Sequence, residues 1–162
     1  MKFSWTSLKI SIAGAKLSHL VRKDKIWDHG TMIETVKIIF YQVQNAREGN
    51  ETEILSKYMT RPGYTAFKKQ MQELKTKGKD WPIRHPVIEE VAVLDVSPAK
   101  YDRPDHFTAL VNESEMLITD SANAGKIILT VSEQWSFVRQ GDWWLLDEMK
   151  IKNPLFRSRS SD

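Results

Sequence analysis

The spacing of apolar residues predicts helices in the first half of the chain and strands in the second half. Apolar positions recur every three to four residues, as in helices that bury one face, over residues 4–22, 31–47, 51–59 and 60–78. After Trp81-Pro82 the period becomes two, which is typical of strands. The predicted strands are residues 87–96, 106–119, 126–139 and 143–150, with a turn at residues 120–125.

Capping residues mark the starts of the predicted helices. Thr31 is followed three residues later by Glu34, which is the spacing of a capping box. Pro62 falls in a first helical turn, where it is tolerated, and Gly78 suits a C-terminal end. The predicted caps are Ser4 or Thr6, Thr31, Asn50 and Thr60.

Helices followed by an antiparallel meander indicate an α+β domain. The second predicted strand, residues 106–119, is long enough to need a bend or a bulge. One face of such a sheet must be covered, and the N-terminal helices are the cover that the chain offers. We therefore expect these helices to pack on a curved four-stranded antiparallel sheet, forming a cone with an apolar hollow that suits a ligand.

Composition excludes several classes of protein and site. The 162 residues are 41% hydrophobic and 28% charged, as in a folded domain rather than a disordered chain. No apolar run approaches the roughly 20 residues that span a membrane. The absence of cysteine excludes disulfides, zinc fingers and iron–sulfur clusters. The histidines lack partners at metal-ligand spacing and no glycine-rich phosphate loop occurs, so we predict no metal site and no cofactor.

Charge is distributed unevenly along the chain. Residues 1–30 carry six basic and two acidic residues, whereas residues 83–150 carry six basic and twelve acidic ones. A basic, partly apolar N-terminal segment favours an anionic partner such as a membrane surface or nucleic acid. The alternatives are a solvated helix face or packing on the chain's own acidic sheet. The predicted membrane contacts are Lys2, Trp5, Lys9, Lys16, Arg22 and Lys23. A second basic patch, either solvated or facing lipid, comprises Lys68, Lys69, Lys75, Lys77 and Lys79.

The order of several motifs resembles a known family of domains. Trp27-Asp28 precedes the main helix, Tyr58-Met59-Thr60 precedes the third, and Trp135-x-Phe137 with Trp143-Trp144-x-Leu146 closes the pattern. The remaining positions are Phe40, Gln44, Ala46, Leu55, Tyr64, Phe67, Leu74 and Gly78. Together they resemble the Tim-forty-four-like domain family, relatives of a mitochondrial inner-membrane import subunit. That family belongs to the nuclear-transport-factor-two-like superfamily of cone-shaped folds.

The resemblance implies a domain organisation and a class of function. It covers residues 24–150, leaving a basic helical arm at 1–23 and a basic, serine-rich tail at 151–162. The mitochondrial relatives bind anionic lipid and tether a chaperone motor in protein transport, and bacterial relatives often carry a transmembrane segment before the domain. The expected protein is therefore non-enzymatic, bacterial, and either peripheral to a membrane or cytoplasmic. It is a soluble relative or a domain that an anchor precedes.

The inner face of the expected cone supplies the candidate ligand pocket. Glu133 lies between Val131 and Trp135 on an otherwise apolar strand face, where a lone carboxylate is costly unless it is protonated or paired. Arg139 lies six residues along the same face, about 20 Å away, which is too far for direct pairing. The predicted pocket residues are Phe40, Tyr41, Tyr58, Phe67, Met71, His106, Glu133 and Trp135.

Three functions stay open on the sequence. The first is a membrane-associated binding or tethering domain whose hollow holds a lipid or a small apolar ligand. The second is a soluble interaction scaffold that dimerises through its sheet, with the outward one of Trp143 and Trp144 free to contact a partner. The third is a pocket enzyme acting on a small apolar substrate, which needs a buried acid or base. Nucleic acid is not an expected partner, because the later half is acidic and the aromatic residues have core spacing.

Overall fold

The computed structural model describes residues 4–49, 51–79, 86–117 and 127–151, of which residues 115–117 and 127–129 are described by their backbone alone. Helices precede strands, as the apolar spacing predicts. The helices are α1 (Trp5–Leu20), α2 (His29–Gly49) and α3 (Arg61–Thr76), with short 3-10 helices at Lys25–Trp27 and Glu53–Lys57. The strands are β1 (Val87–Ser97), β2 (His106–Leu117), β3 (Ile127–Gln140) and β4 (Trp143–Ile151).

The four strands form one antiparallel sheet in the order β1-β2-β3-β4. The β1–β2 register shifts between Ile88 and Glu90 and again between Val93 and Asp95, and the β3–β4 register shifts at Ser136/Phe137. Such bulges bend strands and increase their twist, which lets a long sheet curve around a helix. The α+β class expected from the sequence is confirmed.

The core lies between the helices and one face of this sheet. Alternate residues of β2 and β3 point inward, so Phe107 stacks on Phe137 with ring centroids 4.7 Å apart. From the helical side α2 buries its apolar stripe against this face. The helix residues in that stripe are Met32, Val36, Ile39, Phe40, Val43 and Ala46.

The first helix shares this core. Ala13 and Leu17 are 1% and 3% exposed and belong to the same cluster as Val93 of β1. The segment after α1 is fixed to the β3–β4 hairpin, because Trp144 donates its indole N–H to the Ile26 carbonyl over 3.2 Å. The described part of the N-terminal segment therefore packs on the domain through α1.

The structure corrects the predicted cap of α2 and the predicted helix at 51–59, and it identifies the cap of α1. Asp28, not Thr31, caps α2: its Oδ2 accepts from the Thr31 amide at 2.9 Å and from the Thr31 hydroxyl at 2.8 Å. A carboxylate also interacts favourably with the positive end of a helix dipole. The helix expected at 51–59 is a 3-10 helix at Glu53–Lys57, because Met59 already bridges to Leu146 of β4. At α1, Ser4 is the cap and accepts from the Ser7 amide at 3.1 Å.

Some sequence predictions fall outside the described residues. They concern Lys2, the Asn50 cap, Trp81-Pro82, the turn at 120–125 and the tail from residue 152 onward. Within the described ranges, none of the helices combines the length and the apolar character that crossing a bilayer requires.

Candidate functional site

Arg47 reaches the interior because it continues the buried stripe of α2. It follows Phe40 and Val43 at helical spacing, and it is 4% exposed. Phe40 packs on Trp135 with ring centroids 5.8 Å apart. Two helical turns after Phe40, Arg47 meets Glu133, two residues before Trp135 on the same face of β3.

The buried ion pair explains why a carboxylate stands on an apolar strand face. Arg47 Nη2 lies 3.5 Å from Glu133 Oε1, and each side chain is 1% exposed. The same nitrogen lies 3.9 Å from the sulfur of Met149. A buried carboxylate without a partner is costly, and the guanidinium offsets that cost.

More polar groups surround this pair. Glu113 is fully buried on β2 opposite Val131, diagonal to Glu133 across the strand pair. Gln44, one turn before Arg47 on α2, is 3% exposed, and its amide nitrogen and oxygen have no hydrogen-bond partner among the described residues. We call Gln44, Arg47, Glu113 and Glu133 the interior cluster. These four side chains are polar or charged and are buried at one end of the core.

A cleft of about 300 Å³ lies beside the interior cluster. It lies between α3 and β4, and Arg47 and Glu133 line it. Thr60 donates its hydroxyl to Asp147 Oδ1 over 2.6 Å and accepts from the Gly63 amide, which fixes the start of α3 on β4. The other lining residues are Met59, Gly63, Ala66, Phe67, Gln70, Asp147, Glu148, Met149 and Ile151.

The predicted pocket residues do not gather in one place. Phe67 and Glu133 line the cleft, while Phe40, Met71 and Trp135 are buried members of the core. The other three are less buried, although Tyr41 packs edge-on against Phe40 with ring centroids 5.2 Å apart. Tyr41 is 48% exposed, Tyr58 lines a groove between α2 and the β3–β4 hairpin, and His106 is half-buried at the start of β2.

That distribution bears on the enzyme hypothesis. A carboxylate at Glu113 or Glu133 is the buried acid or base that the hypothesis requires. His106, however, lies seven residues along β2 from Glu113, about 23 Å at the rise of a strand. The structure therefore does not bring the predicted histidine to the buried carboxylates.

Arg139 belongs to a different cluster. Its Nη1 lies 2.6 Å from Asp24 Oδ2 and 2.9 Å from Asp105 Oδ2. Hydrogen bonds to these two carboxylates raise the pKa of Arg139. The cluster ties the segment after α1 to the start of β2 and to the hairpin.

One side of α1 is exposed and carries a mixed apolar and basic set of residues. Trp5, Lys9, Ile12 and Lys16 follow at spacings of four, three and four, which places them along one side of a helix. Trp5 is 75% exposed and Ile12 is 47% exposed, and both lysines are exposed. We call these four residues the α1 face. Of the other predicted membrane contacts, Arg22 and Lys23 are exposed just after the helix.

The second basic patch and the tryptophan pair are also on the surface. Lys68, Lys69 and Lys75 are exposed on α3, and Lys68 Nζ lies 4.5 Å from the ring centroid of Tyr64. The prediction that only one of the two adjacent tryptophans is core is confirmed, since Trp144 is 3% exposed and Trp143 is 72% exposed.

Sequence reasoning missed Arg47. The available signal was that Arg47 is the charged residue at a position where the apolar stripe of α2 continues, facing a sheet that carries Glu133. Within the part of the chain that the structure describes, no group of three or more histidine, aspartate or glutamate side chains has the arrangement of a metal site.

Comparison with known proteins supports the fold. No protein-family model matches the sequence, and no curated protein matches it. The structure is similar to the crystal structure of the intermembrane space region of chloroplast protein ARC6, with a TM-score of 0.53 and 14% sequence identity. The match covers 76% of this chain and 95% of that chain. A likeness at this identity shows the fold alone, so the resemblance to the Tim-forty-four-like family stays a prediction.

Proposed function

We propose that this protein is a non-enzymatic binding domain that docks on anionic membrane surfaces through the α1 face. The observation that carries the proposal is the two-sided use of α1. One side packs Ala13 and Leu17 into the core, and another side exposes an aromatic residue, an aliphatic residue and two lysines. The proposed location is therefore peripheral to a membrane. The prediction of a bacterial source depends on the resemblance to the Tim-forty-four-like family.

The chemistry of the α1 face suits the boundary between lipid headgroups and acyl chains. Tryptophan and aliphatic side chains insert at this depth, while lysines remain among the anionic headgroups. The segment up to residue 23 contains no acidic residue that would repel such a surface. Because α1 is held by the core, its exposed side is ordered before binding, and little ordering entropy is lost on docking.

The electrostatic contribution sets the expected strength. Each lysine or arginine near an anionic leaflet contributes about 1 kcal/mol, so Lys9, Lys16, Arg22 and Lys23 together contribute about 4 kcal/mol. That corresponds to a dissociation constant of about 1 mM before insertion of Trp5 and Ile12 is counted. The binding is therefore reversible and weakens as salt screens the charges.

Vesicle flotation of the full chain tests the proposal. Vesicles of phosphatidylcholine alone are compared with vesicles that also contain phosphatidylglycerol, at low and high salt. We expect flotation with the anionic vesicles only, lost at high salt. The double variant Lys9→Glu/Lys16→Glu should lower partitioning by a factor on the order of 10 or more, because two attractive charges become repulsive.

A charge-matched variant on α3 is the control. Lys69→Glu/Lys75→Glu makes the same change in net charge at exposed positions of the second basic patch, and we expect it to float almost as the unchanged chain does. Loss of flotation in this variant alone would contradict the α1 face as the contact. Absence of flotation under every condition would contradict membrane docking altogether.

A second candidate is a protein-interaction domain that dimerises. The exposed side chains of Trp143 and Ile38 favour it, since they flank a groove of about 550 Å³ between α2 and the β3–β4 hairpin. Sedimentation over a range of concentrations tests it. A dimer that Trp143→Ala weakens, with no flotation, would place this function first.

A further inference from the structure

The groove between α2 and the β3–β4 hairpin, which we call the hairpin groove, has apolar walls that reach solvent. Ile38 on α2 and Trp143 on β4 line it and are 53% and 72% exposed. Their sequence neighbours Ile39 and Trp144 also line it and belong to the core. Apolar side chains therefore extend from the core to the surface here, and a ligand that covers them removes apolar area from water.

The hairpin groove has the size of a small-molecule site, and its walls are held in place. Its volume is about 550 Å³, within the roughly 300–1,000 Å³ that is usual for such sites. The hydrogen bond from Trp144 to the Ile26 carbonyl fixes the hairpin to the segment before α2. The Leu146 amide donates to the Tyr58 carbonyl at 2.9 Å, which fixes β4 to another wall of the groove. A ligand therefore meets a surface that is already ordered, which lowers the cost of binding.

The charge at the hairpin groove favours an anion. Among the described residues that line it, Lys57 carries the one formal charge, and its Nζ lies 5.4 Å from the ring centroid of Tyr58, which also lines the groove. No ion pair within the described part of the chain involves Lys57. The acidic residues next to the lining in sequence, Glu34 and Asp142, each lie 3.9 Å from a basic group. The groove therefore combines apolar walls with a cation that has no acidic partner among these residues.

We propose that the hairpin groove binds a free single-chain amphiphile with a carboxylate head, the head at Lys57 and the alkyl chain between Ile38 and Trp143. The carboxylate accepts a charge-assisted hydrogen bond from the ammonium, and the chain covers the apolar walls. None of the residues of the α1 face lines this groove, so the proposal does not depend on membrane docking.

A second copy of this chain fits the groove less well than an anionic amphiphile does. In a two-fold contact the same surface of each copy meets itself. Two linings that lack a carboxylate among the described residues would then face each other, and Lys57 would have no acidic partner in either copy.

Titration of the ¹⁵N-labelled full chain with four probes tests the proposal. Decanoate, decanol, decyltrimethylammonium and butanoate are each added below the concentration at which micelles form, and the indole signals and the amides of residues 35–39 and 140–145 are followed. We expect saturable binding of decanoate, about two- to fivefold tighter than decanol, as for an exposed charge pair. Decyltrimethylammonium should bind more weakly than decanol, because Lys57 repels it. Butanoate should not saturate, since its short chain covers little apolar surface.

Three variants at exposed positions locate the site. Lys57→Gln should weaken decanoate about two- to fivefold and leave decanol unchanged. Ile38→Glu puts a carboxylate in the groove and should weaken decanoate at least about tenfold. Val87→Glu is the matched control: it adds the same charge at an aliphatic residue that is 56% exposed, on β1 at the sheet edge opposite β4.

Each outcome supports or overturns the proposal. No saturable binding of decanoate, equal affinity for decanoate and decyltrimethylammonium, or equal losses in Ile38→Glu and Val87→Glu would overturn it. Sedimentation at the concentration of the titration tests the competing occupant. A dimer whose Trp143 indole signal does not respond to decanoate would assign the groove to a second copy and overturn the proposal, whereas a monomer whose signal shifts supports it.

Discussion

Gly63 marks the closest approach of α3 to the sheet. A Cβ atom built at this position would lie 2.7 Å from the Asp147 carbonyl oxygen and 3.0 Å from that of Leu146. Real Cβ atoms do not approach backbone oxygen so closely, and β4 resists displacement because its backbone is hydrogen-bonded to β3. At this residue the need for glycine is steric, and it arises from a strand more than 80 residues later in the chain.

Substitution of this glycine has a predicted sign and a matched control. Gly63→Ala should destabilise the fold by about 1–3 kcal/mol, because the methyl group forces α3 away from β4. Gly14→Ala should stabilise it by up to about 1 kcal/mol, because nothing lies within 4 Å of the added Cβ and alanine favours the helix. Urea denaturation of both variants measures the difference. Equal effects at the two positions would refute the steric explanation.

Of the two residues in the buried ion pair, the sequence predicts the inward position of Glu133 but does not identify Arg47 as its partner. The alternation of β3 shows that Glu133 shares a face with Val131 and Trp135 and therefore needs a partner. The identity of that partner depends on which residue of α2 packs next to Glu133 on β3. Arg47 is 86 positions away in sequence, and only the packing of α2 on the sheet brings the two together.

At the scale of elements, the cluster around Arg139 joins the start of the domain to its last hairpin. Hydrogen bonds from the Arg139 guanidinium and then from the Ile26 amide hold the pKa of Asp24 below its usual value of 3.8. The pKa of Asp28 is lowered by the Thr31 hydroxyl and then by the Thr31 amide at the start of α2. Both carboxylates therefore stabilise the fold in the charged form.

These shifts predict the direction of acid sensitivity. A carboxyl group with a lowered pKa in the folded state stabilises the fold above its unfolded pKa, near 3.8. That stabilisation is lost as the pH falls through the lower folded value. Asp24→Asn should therefore lower the melting temperature near pH 7, and its melting temperature should fall less than that of the unchanged chain from about pH 6 to about pH 2.

Asp142→Asn is the control for this titration. Asp142 also lies near Arg139, at 3.9 Å, but its side chain is 99% exposed, so its contribution is small. Thermal melts of the three proteins across this pH range measure the effect. A curve for Asp24→Asn that parallels that of the unchanged chain would contradict the role given to the Asp24–Arg139 contact.

Elements with a strong local signal were predicted well, and the linking segments were not. The stripes of α2 and α3 and the period of β3 and β4 depend on neighbouring residues, so the sequence reveals them. The segment before α3 became a 3-10 helix because its end bonds to β4: the Thr60 amide donates to the Leu146 carbonyl at 2.9 Å. A tertiary hydrogen bond of this kind leaves no local pattern.

At the scale of the whole molecule, α1 is a structural helix as well as a surface. Leu17 packs in the core with Trp27 and Val93, so removal of residues 1–23 would open the core and confound any membrane experiment. Charge reversal at Lys9 and Lys16 avoids that difficulty, because both residues are exposed.

The dual role of α1 predicts a separation between stability and binding. Leu17→Ala should cost about 2–5 kcal/mol of unfolding free energy, because it leaves a cavity in the core. Ile12→Ala should cost less than about 0.5 kcal/mol, because this side chain is half exposed. Under the membrane proposal Ile12→Ala should still weaken flotation. A large stability loss in Ile12→Ala would show that the α1 face is packed rather than free.

The sequence by itself determined the α+β class, the order of helices and strands, and the inward position of Glu133, because each depends on local periodicity. Only the tertiary structure decided that Arg47 pairs with Glu133, that the predicted pocket residues divide among core, cleft and surface, and that α1 joins the core while exposing Trp5 and Ile12. These features require contacts between residues far apart in the chain. Such contacts depend on how α2 and α3 pack across the curved sheet, and the local periodicity of the sequence does not specify that packing.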